Sequence, residues 1–170
     1  MYYSDYLQLD KVLNAQQLES VKAGKPAHDE MLFIIIHQTY ELWFKQILFE
    51  LDSARDILQN KQIDDNSPEL QLVVHRMDRV TEILKVLIHQ IDILETMTPL
   101  DFLDFRDLLR PASGFQSIQF KLLEALLGLK KDDRHASQYY RSQLREDDLE
   151  RINKYEGETS LIETVNTWLE

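Results

Sequence analysis

Phe33-Ile34-Ile35-Ile36-His37-Gln38-Thr39-Tyr40-Glu41-Leu42-Trp43-Phe44-Lys45-Gln46 decides how this chain folds. At helical spacing Phe33, Ile36, Tyr40, Phe44, Ile47, Leu48 and Leu51 form one apolar stripe, the pattern of a helix that buries one face. The run is too apolar for a surface helix, yet His37 stands four residues after Phe33, inside the stripe. Its imidazole is therefore expected to point into the interior. A buried imidazole needs a partner, because desolvation without a hydrogen bond costs about 1–3 kcal/mol. Two readings stay open: a core histidine satisfied by a neighbour, or a histidine at a site.

Outward from this run, the helix is expected from about Asp29 to Gln59, its acidic start at Asp29 and Glu30 suiting the positive end of the helix dipole. Upstream, Tyr3 to Lys22 is mildly amphipathic and stops at Ala23-Gly24-Lys25-Pro26. Downstream, Asn60 to Asn66 is a polar connection, and Ser67-Pro68-Glu69 reads as an N-cap with proline at the first helical position. Leu70, Val73, Val74, Met77, Val80, Ile83, Leu84, Leu87, Ile91 and Leu94 then keep the helical period to about Thr96. Thr98-Pro99-Leu100-Asp101 repeats the start signal for a short helix through Leu109, and Arg110-Pro111-Ala112-Ser113-Gly114 should be an ordered turn. Ser117 to Leu127 resumes an apolar helical pattern, a charged linker surrounds Lys130 to Arg134, and weaker helices are expected over Ser137–Arg145 and Asp147–Tyr155. No alternating β pattern survives. The expected fold is all-α, a bundle built on two long antiparallel helices.

Near the end, Ser160-Leu161-Ile162-Glu163 has the form of a capping box, and Val165, Trp168 and Leu169 continue an apolar face. The chain then stops at Glu170 without a capping glycine, a proline or a basic last turn. That helix reads as interrupted, so a longer intact chain is expected.

Composition narrows the function classes. Acidic residues outnumber basic ones 30 to 19, for a net charge of −11, which argues against nucleic acid or an anionic membrane as principal partner. Without cysteine there is neither a disulfide framework nor a thiolate metal site. Apolar runs are too short to span a bilayer, and Met1-Tyr2-Tyr3-Ser4-Asp5 lacks the basic start of a secretory signal. A cytoplasmic protein is expected.

Three constellations could carry chemistry. His37 with Phe33 is the first. The second is Asp101 to Leu109, where Phe102, Phe105 and Leu109 share a face and Arg106 falls beside Phe102 at four-residue spacing. An arginine at the edge of an aromatic surface suits a carboxylate, since its planar fork gives two parallel charge-assisted hydrogen bonds; an ordinary ion pair with a nearby acid is the other reading. The third comprises His75 with Asp78 and His89 with Asp92. These two sets lie about 21 Å apart along one helix, too far to share an ion, and solvated or salt-bridged side chains are expected there. His28 and His135 sit in polar surroundings and are expected at the surface. No Gly-rich phosphate loop, Gly-x-Ser-x-Gly or His-Glu-x-x-His occurs.

Four segments together resemble the tryptophan 2,3-dioxygenases. They are Tyr3-Ser4-Asp5-Tyr6-Leu7-Gln8-Leu9-Asp10-Lys11-Val12-Leu13-Asn14, His28-Asp29-Glu30 through Leu51, Leu94-Glu95-Thr96-Met97-Thr98, and Asp101 through Ser117 with its Arg110-Pro111-Ala112-Ser113-Gly114-Phe115-Gln116-Ser117. The likeness loosens after about Lys130. It implies an all-α, haem-dioxygenase-like fold, haem b as cofactor, L-tryptophan and O₂ as substrates, and a homotetramer. By resemblance His37 is the distal histidine that hydrogen-bonds the indole N–H. Phe33, Ile34, Ile35 and Ile36 belong to the substrate segment, Phe102 lines the pocket, and Arg106 clamps the substrate carboxylate. Ser113 and Gly114 lie near the haem edge, and Tyr3 and Tyr6 complete the pocket of a neighbouring subunit. No histidine here matches the family's proximal haem ligand, which lies well downstream. Residues 1–170 are therefore expected to be a single all-α domain, the N-terminal portion of a longer chain. Alone they should bind haem weakly and not turn over. A related indole-oxidising haem enzyme, or a helical module that has lost haem, are the alternatives.

Overall fold

The computed structural model describes residues 1–60, 63–129 and 141–170. Every regular element among these residues is helical, as the sequence pattern requires. They form two compact units, Met1–Thr39 with His89–Ala112, and Tyr40–Ile88 with Ser113–Glu170. The two long helices, α4 (Glu30–Leu58) and α5 (Pro68–Leu94), contribute residues to both. Among the described residues no helix is long and apolar enough to cross a membrane.

The second unit holds the larger core. Ile47, Leu51, Ala54 and Leu58 of α4 meet Val73, Val80, Ile83 and Leu87 of α5, and all are buried. The helices run antiparallel, since partner numbers fall along α5 as they rise along α4. The Tyr40 hydroxyl donates to the Leu87 carbonyl at 2.7 Å, and Arg79 Nη1 donates to Glu50 Oε1 at 2.6 Å. Glu50 is buried; Gln46 Nε2 donates to it at 2.7 Å and Arg76 Nε stands 3.8 Å away. A buried carboxylate survives only with such partners. Ser67 Oγ accepts from the Leu70 N–H at 3.1 Å, capping α5 where the Ser-Pro-Glu signal placed it.

Three further helices close this core: α7 (Ile118–Leu127), α8 (Glu146–Gly157) and α9 (Leu161–Leu169). Ser117 caps α7, and Gly128 ends it in the left-handed region at φ 100°. The amides of Gly128 and Leu129 then reach back to Ala125 and Glu124. A Cβ on Gly128 would stand 2.7 Å from Ile162 Cγ2, so α7 and α9 pack through the missing side chain. On α8 the Tyr155 hydroxyl donates to Asp52 Oδ2 at 2.8 Å, and Arg55 pairs with Asp52 and Glu158, each at 3.0 Å. Burial and then the Asp52 carboxylate push the Tyr155 phenol up to about 12. The Ser160–Glu163 capping box opens α9, and Trp168 Nε1 donates to the Ile63 carbonyl at 3.3 Å. Trp43 lies at the surface of α4.

Several boundaries differ from the sequence reading. Tyr3 to Lys22 breaks into α1 (Tyr3–Leu7), α2 (Leu9–Leu13) and α3 (Glu19–Lys22). The first break falls at Gln8, which adopts φ 51° while its side-chain amide donates to the Asp5 carbonyl at 2.6 Å. The short helix after Thr98 is α6 (Pro99–Arg106), continued by a 3-10 turn over Asp107–Leu109; a second such turn covers Gly114–Gln116. Of the helix expected over Ser137–Arg145, residues 137–140 lie outside the described residues, and Arg141 to Gln143 form a turn instead. Val74, Leu84 and Ile91 are exposed on α5 rather than part of its buried stripe.

Candidate functional site

The site is built in the first unit, where the start of α4 meets α6. Thr98 starts α6 with both halves of a capping box. The Asp101 N–H donates to Thr98 Oγ1 at 3.3 Å, while the Thr98 N–H and hydroxyl donate to Asp101 Oδ2 at 2.9 and 2.6 Å. Those donors hold the Asp101 carboxyl below the usual carboxylate range. With its first turn fixed, α6 presents Phe102, Phe105 and Arg106.

Phe33 of α4 stacks on Phe102 with centroids 5.5 Å apart and planes at 27°. Phe105 is fully buried and meets both rings edge-on, at 5.6 Å from Phe33 and 5.4 Å from Phe102. Such offset and edge-to-face pairs are the favoured arrangements of aromatic rings. The His37 ring follows Phe33 at 4.1 Å. The Arg106 guanidinium lies 5.9 Å from the Phe102 centroid, and no carboxylate among the described residues pairs with it.

His37 is exposed, contrary to the interior position expected of it. Ile36, buried, takes the inner side of α4; the next residue lies about 100° further round the helix and falls at the margin. Its partner is its own backbone, Nδ1 standing 2.7 Å from the Phe33 carbonyl oxygen. A carbonyl only accepts, so in the neutral ring Nδ1 carries the hydrogen. Nε2 is then left as a bare acceptor. An aromatic wall, one acceptor for an N–H and one planar cation together suit a flat heteroaromatic amino acid.

Ile34 is half-buried and Ile35 exposed, on the same turn of α4. Tyr3 and Tyr6 are exposed on α1 and take no part in the ring cluster. Ser113 and Gly114 belong to the second unit, where Ser113 Oγ accepts from the Phe115 N–H at 3.3 Å. Arg79 Nη2 donates to His75 Nε2 at 3.1 Å, and His89 Nδ1 lies 3.6 Å from Asp92 with both side chains exposed. No group of three or more metal-ligating side chains gathers among the described residues. His28 is exposed, as expected, and His135 lies outside the described residues.

The sequence profile of tryptophan 2,3-dioxygenase matches residues 1–170, the full length of the chain. The chain belongs to that family. It is 54% identical over 173 residues to the tryptophan 2,3-dioxygenase of Anopheles gambiae, an alignment covering all of this chain and 44% of that protein. Identity is 52% to the protein of that name from Bdellovibrio bacteriovorus, covering 47% of it, and 52% to that of Rattus norvegicus, covering 42%. The chain thus spans less than half the length of these curated relatives.

One buried group of the first unit was not legible in the sequence of this tryptophan 2,3-dioxygenase-family chain. Glu30, expected as a dipole-favouring acid at the helix start, is fully buried. Its Oε1 accepts from the Glu19 N–H at 2.8 Å and its Oε2 from the Ser20 N–H at 2.9 Å. Burial opposes its charge, but the Ser20 hydroxyl, both N–H groups and Lys22 together hold the carboxyl below its usual range. The partners lie ten and eleven residues upstream, outside any local helical spacing.

Proposed function

We propose that this chain carries the substrate side of a haem-dependent dioxygenase that inserts both atoms of O₂ across the indole C2–C3 bond of L-tryptophan, giving N-formylkynurenine. The observation that carries the reading is His37, its Nδ1 on the Phe33 carbonyl oxygen, beside a stacked phenylalanine pair, with an arginine at the edge that has no acid partner among the described residues. Phe33 and Phe102 form the wall for the indole, flanked by Ile34, Ile35 and Ile36. His37 Nε2 accepts the indole N–H, which orients the ring and selects for an unsubstituted nitrogen. Arg106 binds the carboxylate through its planar fork. Analogues lacking the carboxylate forgo this charge-assisted pair and bind more weakly.

Haem b, when bound, supplies the activation of O₂. The aromatic wall and the acceptor of His37 fit the substrate side of that group, with Ser113 and Gly114 near its edge. Its axial ligand is assigned to no residue of this chain, so the chain acts as one portion of a longer haem dioxygenase. Tyr3 and Tyr6 complete the pocket of a neighbouring copy in a cytoplasmic homotetramer.

Calorimetric titration with L-tryptophan, tryptamine and indole-3-propionate tests the reading. L-tryptophan binds more tightly than tryptamine, and equal binding of the two refutes the role of Arg106. Titration with ferrous haem tests the ligand assignment. Weak binding without turnover is expected, whereas a stable low-micromolar complex that turns over tryptophan would overturn it.

A further inference from the structure

We infer that Glu30 is a positioning residue, whose buried carboxylate holds α3 between the start of α4 and the 3-10 turn after Arg106, and thereby sets Arg106 relative to His37. For its consequence in substrate recognition the inference rests on the function proposed above.

Helix α3 has four residues, and its N-cap Leu18 offers no side-chain hydrogen bond. An isolated helix shorter than about 12 residues is marginal in water, so α3 is held from outside. Glu30 does this by accepting two N–H groups at the helix start, both charge-assisted. Ser20 closes the loop that follows, its Oγ accepting from the Ala27 N–H at 3.0 Å. Upstream, Gln16 Nε2 donates to Gln38 Oε1 at 2.7 Å, one residue past His37. Residues 16 to 30 are thus fastened to α4 at both ends. Between those ends α3 packs against the Asp107–Leu109 turn, which begins directly after Arg106.

Direct contacts between α4 and α6 around the site include the ring contacts of Phe33 with Phe102 and Phe105. Stacked rings tolerate sliding; hydrogen bonds to a buried carboxylate do not. A bidentate guanidinium clamp needs its partner placed to within a fraction of an ångström. Loss of the Glu30 anchor should therefore be felt at Arg106, which Glu30 does not touch.

The test compares the full chain with Glu30→Gln, Ser20→Ala and, as a control of stability alone, Leu126→Ala in the core of the second unit. Glutamine keeps one acceptor oxygen and turns an NH₂ toward the other N–H donor. Hydrogen exchange is read over residues 19–27 and 99–109, and the ratio of L-tryptophan to tryptamine affinity by calorimetry. Glu30→Gln speeds exchange in both segments and lowers the ratio about tenfold, the size of one hydrogen bond lost from the clamp; Ser20→Ala does the same more weakly, and Leu126→Ala does neither. Should Glu30→Gln fail to fold, Ser20→Ala decides by the same readouts. Faster exchange confined to residues 19–27, with the ratio kept, overturns the inference. A wild-type ratio near one refutes the proposed function instead, and exchange at residues 99–109 then decides the positioning role by itself.

Discussion

Replacing Arg106 by methionine separates recognition from folding, because the two costs differ in size. In the structure Arg106 touches the Phe102 ring and pairs with no carboxylate among the described residues. Its removal orphans no buried acid among those residues. The fold loses an exposed cation–π contact of about 0.5–1 kcal/mol and a cation in the last turn of α6, worth about 0.3–1 kcal/mol. Stability should fall by about 1–2 kcal/mol. Binding of L-tryptophan loses a hydrogen-bonded charge pair of about 1.5–3 kcal/mol, or roughly 10- to 150-fold in affinity. Tryptamine, which has no carboxylate, should bind Arg106→Met as it binds the wild type. Arg106→Lys keeps the charge without the fork and should fall between. Urea unfolding followed by helical circular dichroism gives the first quantity, and calorimetric titration with the two ligands gives the second. If Arg106→Met keeps the wild-type ratio of affinities, the clamp is wrong. If it costs the fold more than about 3 kcal/mol, the range of a broken buried pair, Arg106 is structural.

Gly128→Ala combines a left-handed φ with a 2.7 Å approach to Ile162 Cγ2 and should destabilise by about 2 kcal/mol or more. Ile162→Ala in the same chain should recover part of the loss, and a thermally silent Gly128→Ala refutes the packing account. The Glu30 carboxyl, flanked by Glu19 and Lys22, is held below its ordinary value of 4.5. Its contribution is complete above the unfolded value and is lost as pH falls through the lower folded one. Glu30→Gln should flatten that acid limb of stability against pH, and an unchanged limb counts against the buried anchor. Tyr155 is raised from 10 to about 12, so its contribution is complete below pH 10 and is lost as pH climbs toward 12. Tyr155→Phe should remove that alkaline limb, measured as unfolding free energy against pH; persistence of the limb would assign it elsewhere.

What the sequence made legible was local. Thr98-Pro99-Leu100-Asp101, Ser67-Pro68-Glu69 and Ser160-Leu161-Ile162-Glu163 each cap a helix where they stand, because a cap is satisfied within three residues. The stripe from Ile36 to Leu51 was legible for the same reason, since one helical period relates its members. Phe102 and Arg106 were paired by the same four-residue spacing. The interior position of His37 was misread because Phe33 marks the edge of the stripe rather than its centre, and periodicity does not say how wide the buried face is. Glu30 escaped because its donors belong to a helix built from unremarkable residues upstream. The break at Gln8 left no signal either, since nothing in its type demands a positive φ.

Both tryptophans of this chain, Trp43 and Trp168, belong to the unit that does not hold the ring cluster. Tryptophan emission is consequently a reporter for one unit of the molecule and blind to the other. A Phe33 or Phe102 variant judged by its fluorescence spectrum could lose the arrangement around His37 and still pass as intact. Added L-tryptophan, itself an indole fluorophore, would mask the little that remained. Leu103 is exposed on α6, one residue from Phe102, and Leu103→Trp would give the silent half an optical signal of its own.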